Sequence, residues 1–154
     1  DRPLAAYGLC YLGALLAYDG RQAAVTKGRG FIARGRELLV AAPDLRTAIF
    51  SDLAESMAAF CGGAFSDSRR GFDAVIARVA SSHPVAAWER MVAETTGLYA
   101  LQHLGDLALL RERIAQLRLR AEDSGDHALA VETELFSSPH VFVARVRHAI
   151  AERS

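Results

Sequence analysis

The side chains able to bind metals, move protons or attack electrophiles are few in this chain, and their spacing assembles no such site. His83, His103, His127, His140 and His148 include no His-Glu-x-x-His pair, and Cys10 and Cys61 lie 51 residues apart, without zinc-ligand spacing. Glu94 and His103 can face one another across helical turns, but a separation of nine is not a carboxylate-bundle ligand pattern. Glu132 and Glu134, two apart, point to different sides of a helix and so do not converge as an acid-base pair. Ser51, Ser56, Ser66 and Ser68 have neither an adjacent His nor a Gly-flanked elbow to activate them. Gly28-Arg29-Gly30 lacks the third glycine of a phosphate cradle and falls within a helical pattern rather than after a strand. The expectation is no catalytic, metal or cofactor residue, which leaves binding as the function class.

Charge narrows the partner. Eighteen basic residues balance eighteen acidic ones, with a sequence pI of about 7.1, so nothing draws the whole chain toward nucleic acid or an anionic membrane. Seventeen of the eighteen basic residues are Arg, a bias expected from a GC-rich genome. Arg111, Arg113, Arg118 and Arg120 form the densest basic group, but Glu112, Glu122 and Asp123 interrupt it and no aromatic residue interleaves for base stacking. That group is expected to be a solvated helix face. Two cysteines inside apolar runs give no disulfide framework, and a reducing cytoplasm is the default. Pro3 to Tyr18 is the longest uncharged run, at 16 residues, where a membrane span needs roughly 20. It is expected to be a buried terminal helix rather than an anchor.

Helical periodicity, punctuated by Gly, Pro and Asp, accounts for the rest of the chain. Leu4 to Tyr18 is followed by Asp19-Gly20. Arg21 to Ala42 follows, with Val25, Ile32, Leu38, Leu39 and Val40 toward the core and small glycines that allow close helix approach. After Pro43-Asp44, the residues Leu45, Ile49, Leu53, Met57 and Phe60 mark the clearest one-sided helix, closed by Gly62-Gly63. Ser66-Asp67-Ser68 opens the next, and His83-Pro84 ends it. Val85 to Leu104 and Leu107 to Asp123 form the central hairpin of Leu98 to Asp126, turned at Gly105-Asp106 and stopped at Ser124-Gly125-Asp126. A last hairpin runs from His127 to Phe136 and, past Ser137-Ser138-Pro139, from Val141 to Glu152.

The punctuation is periodic. Pro43, Pro84 and Gly125 are 41 residues apart, and Gly20, Gly63 and Gly105 are 43 and 42 apart. A hairpin recurring at this interval is the mark of an α-solenoid of about seven to eight helices in one domain spanning 1–154, with a globular helical bundle as the alternative. The chain opens at Asp1-Arg2-Pro3 without Met and stops at Ser154 just past a helical run, so a segment of a larger protein is expected.

The turn Phe60-Cys61-Gly62-Gly63-Ala64-Phe65, followed by the small Ser68, is similar to a tetratricopeptide hairpin, although the usual Trp-Leu-Gly-Tyr pattern before it is missing. Over residues 20 to 154 the order of landmarks resembles the tetratricopeptide-like region C-terminal to the catalytic domain of large bacterial eukaryotic-like serine/threonine kinases. Those landmarks are Ala42-Pro43-Asp44-Leu45-Arg46, Phe60-Cys61-Gly62-Gly63, Ala87-Trp88-Glu89, Tyr99-Ala100-Leu101-Gln102-His103-Leu104-Gly105-Asp106-Leu107, Leu110-Arg111-Glu112-Arg113, Ser124-Gly125-Asp126, and Ser138-Pro139 before Val143-Ala144-Arg145. The resemblance implies a protein-interaction or regulatory module with no catalytic residue to carry over. No Gly-rich loop, His-Arg-Asp or Asp-Phe-Gly motif can be read in the chain.

Within such a stack, the first helices of successive pairs (Leu4 to Tyr18, Asp44 to Cys61, Val85 to Leu104, His127 to Phe136) are expected to line a concave surface that receives a peptide or helix. The partner is a protein or peptide, with the parent kinase domain as one candidate. Tyr7, Tyr11 and Tyr18 either line a groove or pack an end helix, and His103 beside Gly105 is expected as a helix-end residue. The apolar flanks Leu4 to Leu16 and Val141 to Ile150 offer routes to self-association. The other readings are an all-helical small-molecule-binding regulatory domain and the helical sensor region of a large regulatory ATPase.

Overall fold

The computed structural model describes residues 1–81 and 86–137. Seven helices follow in order: α1 (Arg2–Ala17), α2 (Gln22–Ala41), α3 (Leu45–Cys61), α4 (Phe65–Ala80), α5 (Ala87–Leu104), α6 (Leu107–Ser124) and α7 (His127–Ser137). They form two compact units, residues 1–105 with α1 to α5 and residues 106–154 with α6 and α7. The fold is all-α, built of antiparallel hairpins. The His83-Pro84 break, the Ser138-Pro139 turn and the Val141 to Glu152 helix lie outside the described residues.

Local chemistry sets the helix ends. Gly20, Gly63, Gly105 and Gly125 have φ of 73°, 78°, 73° and 66°, a left-handed backbone that side chains with a Cβ resist. Asp44 caps α3 by accepting from the Thr47 amide at 2.7 Å and the Thr47 hydroxyl at 2.6 Å. Asp106 and Asp126 repeat the device, accepting from the amides of Leu109 at 3.2 Å and Leu129 at 3.0 Å. Ser66-Asp67-Ser68 is not an opener: α4 starts at Phe65, and Ser68 is fully buried one turn inside it.

Within the first unit each helix packs only on helices one or two places away in order. α1 packs on α2 and α3, α2 on α3, α3 on α4 and α5, and α4 on α5. First helix on next first helix, and second helix on next first helix, is the order of a tetratricopeptide-like stack rather than of a closed bundle. In the second unit α6 and α7 pair, with Arg118 and Glu134 bridging them.

α1 and α2 close on small residues. Ala6, Cys10, Gly13 and Ala17, one stripe at helical spacing, are buried against Val25, Gly28, Ile32 and Gly35. A Cβ on Gly28 would stand 2.4 Å from the Gly13 carbonyl oxygen, and one on Gly13 would stand 2.5 Å from that of Gly28. The backbones themselves are in contact. Gly30, by contrast, faces open space.

Three expectations about burial need correction. α1 is not a buried terminal helix, because Leu4, Tyr11, Leu12, Leu15 and Tyr18 all remain exposed. α3 is not one-sided: Ile49, Phe50, Leu53, Ala54, Met57, Ala58 and Ala59 are buried around most of its circumference, because helices pack on several of its sides. Val40 is 85% exposed, although Leu38 and Leu39 beside it are partly buried. On another side of α3, Asp52 is shared by Arg36 of α2 at 3.1 Å and Arg78 of α4 at 2.6 Å, and Glu55 stands 3.0 Å from Arg29.

Candidate binding groove

The first, third and fifth helices each turn an apolar side to one groove of about 430 Å³ in the first unit. Tyr11 and Leu15 come from α1 and Tyr18 from the residue that ends it, Phe50, Leu53, Ala54 and Met57 from α3, and Trp88 and Val92 from α5. The floor residues Phe50, Leu53 and Ala54 are buried. The walls are open, with Tyr11 and Trp88 each 49% exposed and Tyr18 64% exposed. No lining residue is charged.

Aromatic rings give the groove its surface. Phe50 stacks on Tyr7 at 4.3 Å between centroids, and Tyr11 and Trp88 each stand 6.3 Å from it. All three partners lie within 30° of parallel to Phe50, so the rings of three helices form one offset series. Burial, and then the Glu89 carboxylate, raises the Tyr7 phenol above its ordinary value, while Arg46 acts in the opposite sense.

An ion pair joins the starts of α3 and α5 beside this series. Glu89 follows Trp88 directly, and its side chain is completely buried. Its Oε1 accepts from the Arg46 Nε at 3.2 Å, while Oε2 is buried with no hydrogen-bond partner. Arg46 is half exposed and precedes Phe50 by one helical turn, on the same side of α3. Removing Arg46 would strand a buried carboxylate, which costs several-fold more than losing an exposed pair.

Of the tyrosines singled out by sequence, Tyr11 and Tyr18 line the groove and Tyr7 supports its floor. His103 stacks face to face on Phe65 at 4.3 Å, with Phe60 set against its edge, so it serves the α3–α4 turn as an aromatic plate. Glu94 is held by Arg90 at 2.9 Å. Ser51 donates to the Ala48 carbonyl and Ser56 to that of Asp52, local bonds within α3. Arg118 meets Glu134. His83, His140, His148 and the Glu132 side chain lie outside the described residues.

Cys10 and Cys61 are free thiols. Burial pushes Cys10 up to about 11 and raises Cys61, so neither is activated as a nucleophile. Among the described residues no group of three His, Cys, Asp or Glu gathers as a metal site. Nor is any described helix long and apolar enough to cross a membrane.

The pairings have a signal in the sequence. Tyr7 and Phe50 are 43 residues apart, as are Arg46 and Glu89, the interval that separates Gly20 from Gly63. Residues one repeat apart occupy corresponding positions on neighbouring first helices, and there they meet. Compared with known proteins, the chain matches no family model, no curated protein and no solved structure.

Proposed function

We propose that this chain is a non-catalytic docking module, and that its partner seats an apolar peptide or helix face in the groove between α1, α3 and α5. The observation that carries this reading is the exposure of Tyr11, Leu15, Tyr18 and Trp88 side by side on successive first helices. Large apolar side chains left open and contiguous mark interaction surfaces, and Tyr and Trp are the residues that most often anchor them. The reading extends to a cytoplasmic regulatory segment of a bacterial serine/threonine kinase, with the kinase domain itself as one candidate partner. The order of sequence landmarks supports that extension. Self-association through the outward side of α1, where Leu4 is 69% and Leu12 is 41% exposed, belongs to the same reading.

The test is affinity capture from a lysate of the source cells with the wild-type chain and a Trp88→Ala variant as paired baits. A partner retained by the first and lost by the second supports docking in the groove. A partner captured equally by both places its contact elsewhere and refutes the assignment.

One observation favours a second reading. A volume of about 430 Å³ with an uncharged aromatic lining suits a small apolar ligand as well. Saturable binding of such a compound, abolished by Trp88→Ala in a chain that captures no protein, would replace docking with ligand sensing.

A further inference from the structure

We infer that the groove selects an amphipathic helix carrying a carboxylate beside its apolar face, and that Arg46 is the residue that reads the acid. The inference rests on the reading of the groove as a protein-docking surface. Its starting point is register. Arg46, Phe50, Leu53, Ala54 and Met57 fall at helical spacing along one side of α3, so the line of the groove floor ends at a guanidinium.

That guanidinium is positioned. Its Nε is engaged by the buried Glu89, and no described residue takes its terminal nitrogens, while the side chain as a whole is 55% exposed. An Arg held through Nε keeps its two terminal NH2 groups to donate elsewhere, the fork that suits a carboxylate. None of the nine lining residues is charged, and Arg46 stands one helical turn beyond them on α3. Apolar floor and single cation together define a complement: apolar anchors along one helix side and an acid at one end.

The open wall decides between a helix and a free amphiphile. Tyr11, Leu15 and Trp88, each 49% exposed, leave one side of any occupant in water. A small ligand needs most of its surface enclosed, whereas an amphipathic helix keeps its polar side wet. Glu89 then has a second effect. Its charge, together with that of Asp44 two residues before Arg46, partly cancels that of Arg46 and moderates the attraction for the acid.

The test uses three synthetic amphipathic peptides, identical in a Leu-rich apolar face and carrying Glu, Gln or Lys at both ends, titrated calorimetrically onto the full chain. Because Arg46→Gln alone strands the buried carboxylate, the neutral double variant Arg46→Gln/Glu89→Gln is used beside Glu89→Gln and Trp88→Ala. The Glu peptide is expected to bind about fivefold tighter than the Gln peptide at low salt, with the Lys peptide weakest. The double variant should erase that order. Glu89→Gln, which keeps an acceptor for Arg46 but removes the opposing charge, should widen it, a change that a merely structural role would not produce.

Three peptides binding alike, all weakened by Trp88→Ala, would overturn the acid preference while leaving the groove assignment standing. Binding of none, or binding indifferent to Trp88→Ala, would overturn both. Saturable binding of dodecanoate with no peptide bound would give the groove to a small amphiphile and overturn the helix.

Discussion

The α1–α2 hairpin and the α3–α4 hairpin have the same topology and are closed by different contacts. In the first, Gly13 and Gly28 bring two backbones into contact, and Ala6, Cys10, Ala17 and Gly35 fill what space remains. In the second, Gly71 of α4 also comes close to α3, but it meets the Ser56 side chain, and Phe72, Val75 and Val79 join Leu53 and Met57 in one apolar core filled by large side chains. The difference teaches that burying small residues frees large ones. Because α1 meets α2 through Gly, Ala and Cys, its tyrosines and leucines are left over for the groove and for its outward side.

If that contrast is right, truncation should break the second hairpin and enlargement the first. Phe72→Ala removes a fully buried ring and should cost about 3–5 kcal/mol in urea unfolding, the largest single effect expected. Gly28→Ala should cost about 1–3 kcal/mol or unfold the hairpin, since the added methyl meets a carbonyl oxygen of the facing backbone, which cannot rotate away. Its internal control is Gly30→Ala, two residues along the same helix with open space at the Cβ, which should stabilise by about 0.5–1 kcal/mol. Equal effects at the two glycines would remove the case for backbone contact.

A fourth prediction separates the hairpins by pH. Burial raises the Cys10 thiol from the ordinary 9.0 to about 11, so the fold favours the protonated form. That contribution is fully present below the unfolded value and is lost as pH rises through the folded one. Stability followed by chemical denaturation should therefore decline between about pH 9 and 11 in the wild type and less so in Cys10→Ala. Asp44 titrates in the other direction. Hydrogen bonds from the Thr47 hydroxyl and amide hold its carboxyl below the usual range, so its capping contribution should persist on acidification and disappear only below that range. Asp44→Ala should cost about 1 kcal/mol at neutral pH and approach zero difference in acid.

Much of the architecture could be read from punctuation. Gly20, Gly63, Gly105 and Gly125 sit where the chain must adopt positive φ, and Asp44, Asp106 and Asp126 sit where helix amides need an acceptor, so helix order and turn positions followed directly. Which side of each helix is buried did not follow. Spacing groups Leu45 with Ile49 and Leu53, yet Leu45 is 47% exposed while Thr47, two residues on in the same turn of α3, is buried. The leucines of α1 carry no mark to say that its partner would choose Ala6, Cys10, Gly13 and Ala17 instead. Periodicity records that a helix has sides; the number of neighbours decides how many are covered. The groove was half visible through Tyr11 and Tyr18. Its ion pair was hidden, because Arg46 and Glu89 look like ordinary surface charges until one is placed on each of two adjacent helices.

The position of Trp88 has an optical consequence. It is the sole tryptophan in the chain, half exposed on the groove wall and 6.3 Å from Phe50. Ultraviolet emission from the unlabelled protein therefore reports on the very surface a partner would cover, the groove that Tyr11 and Tyr18 also line. An occupant that expels water from the indole will shift that emission to the blue, whereas a protein that docks anywhere else will leave the spectrum unchanged. The chain carries its own gauge of whether the groove is filled.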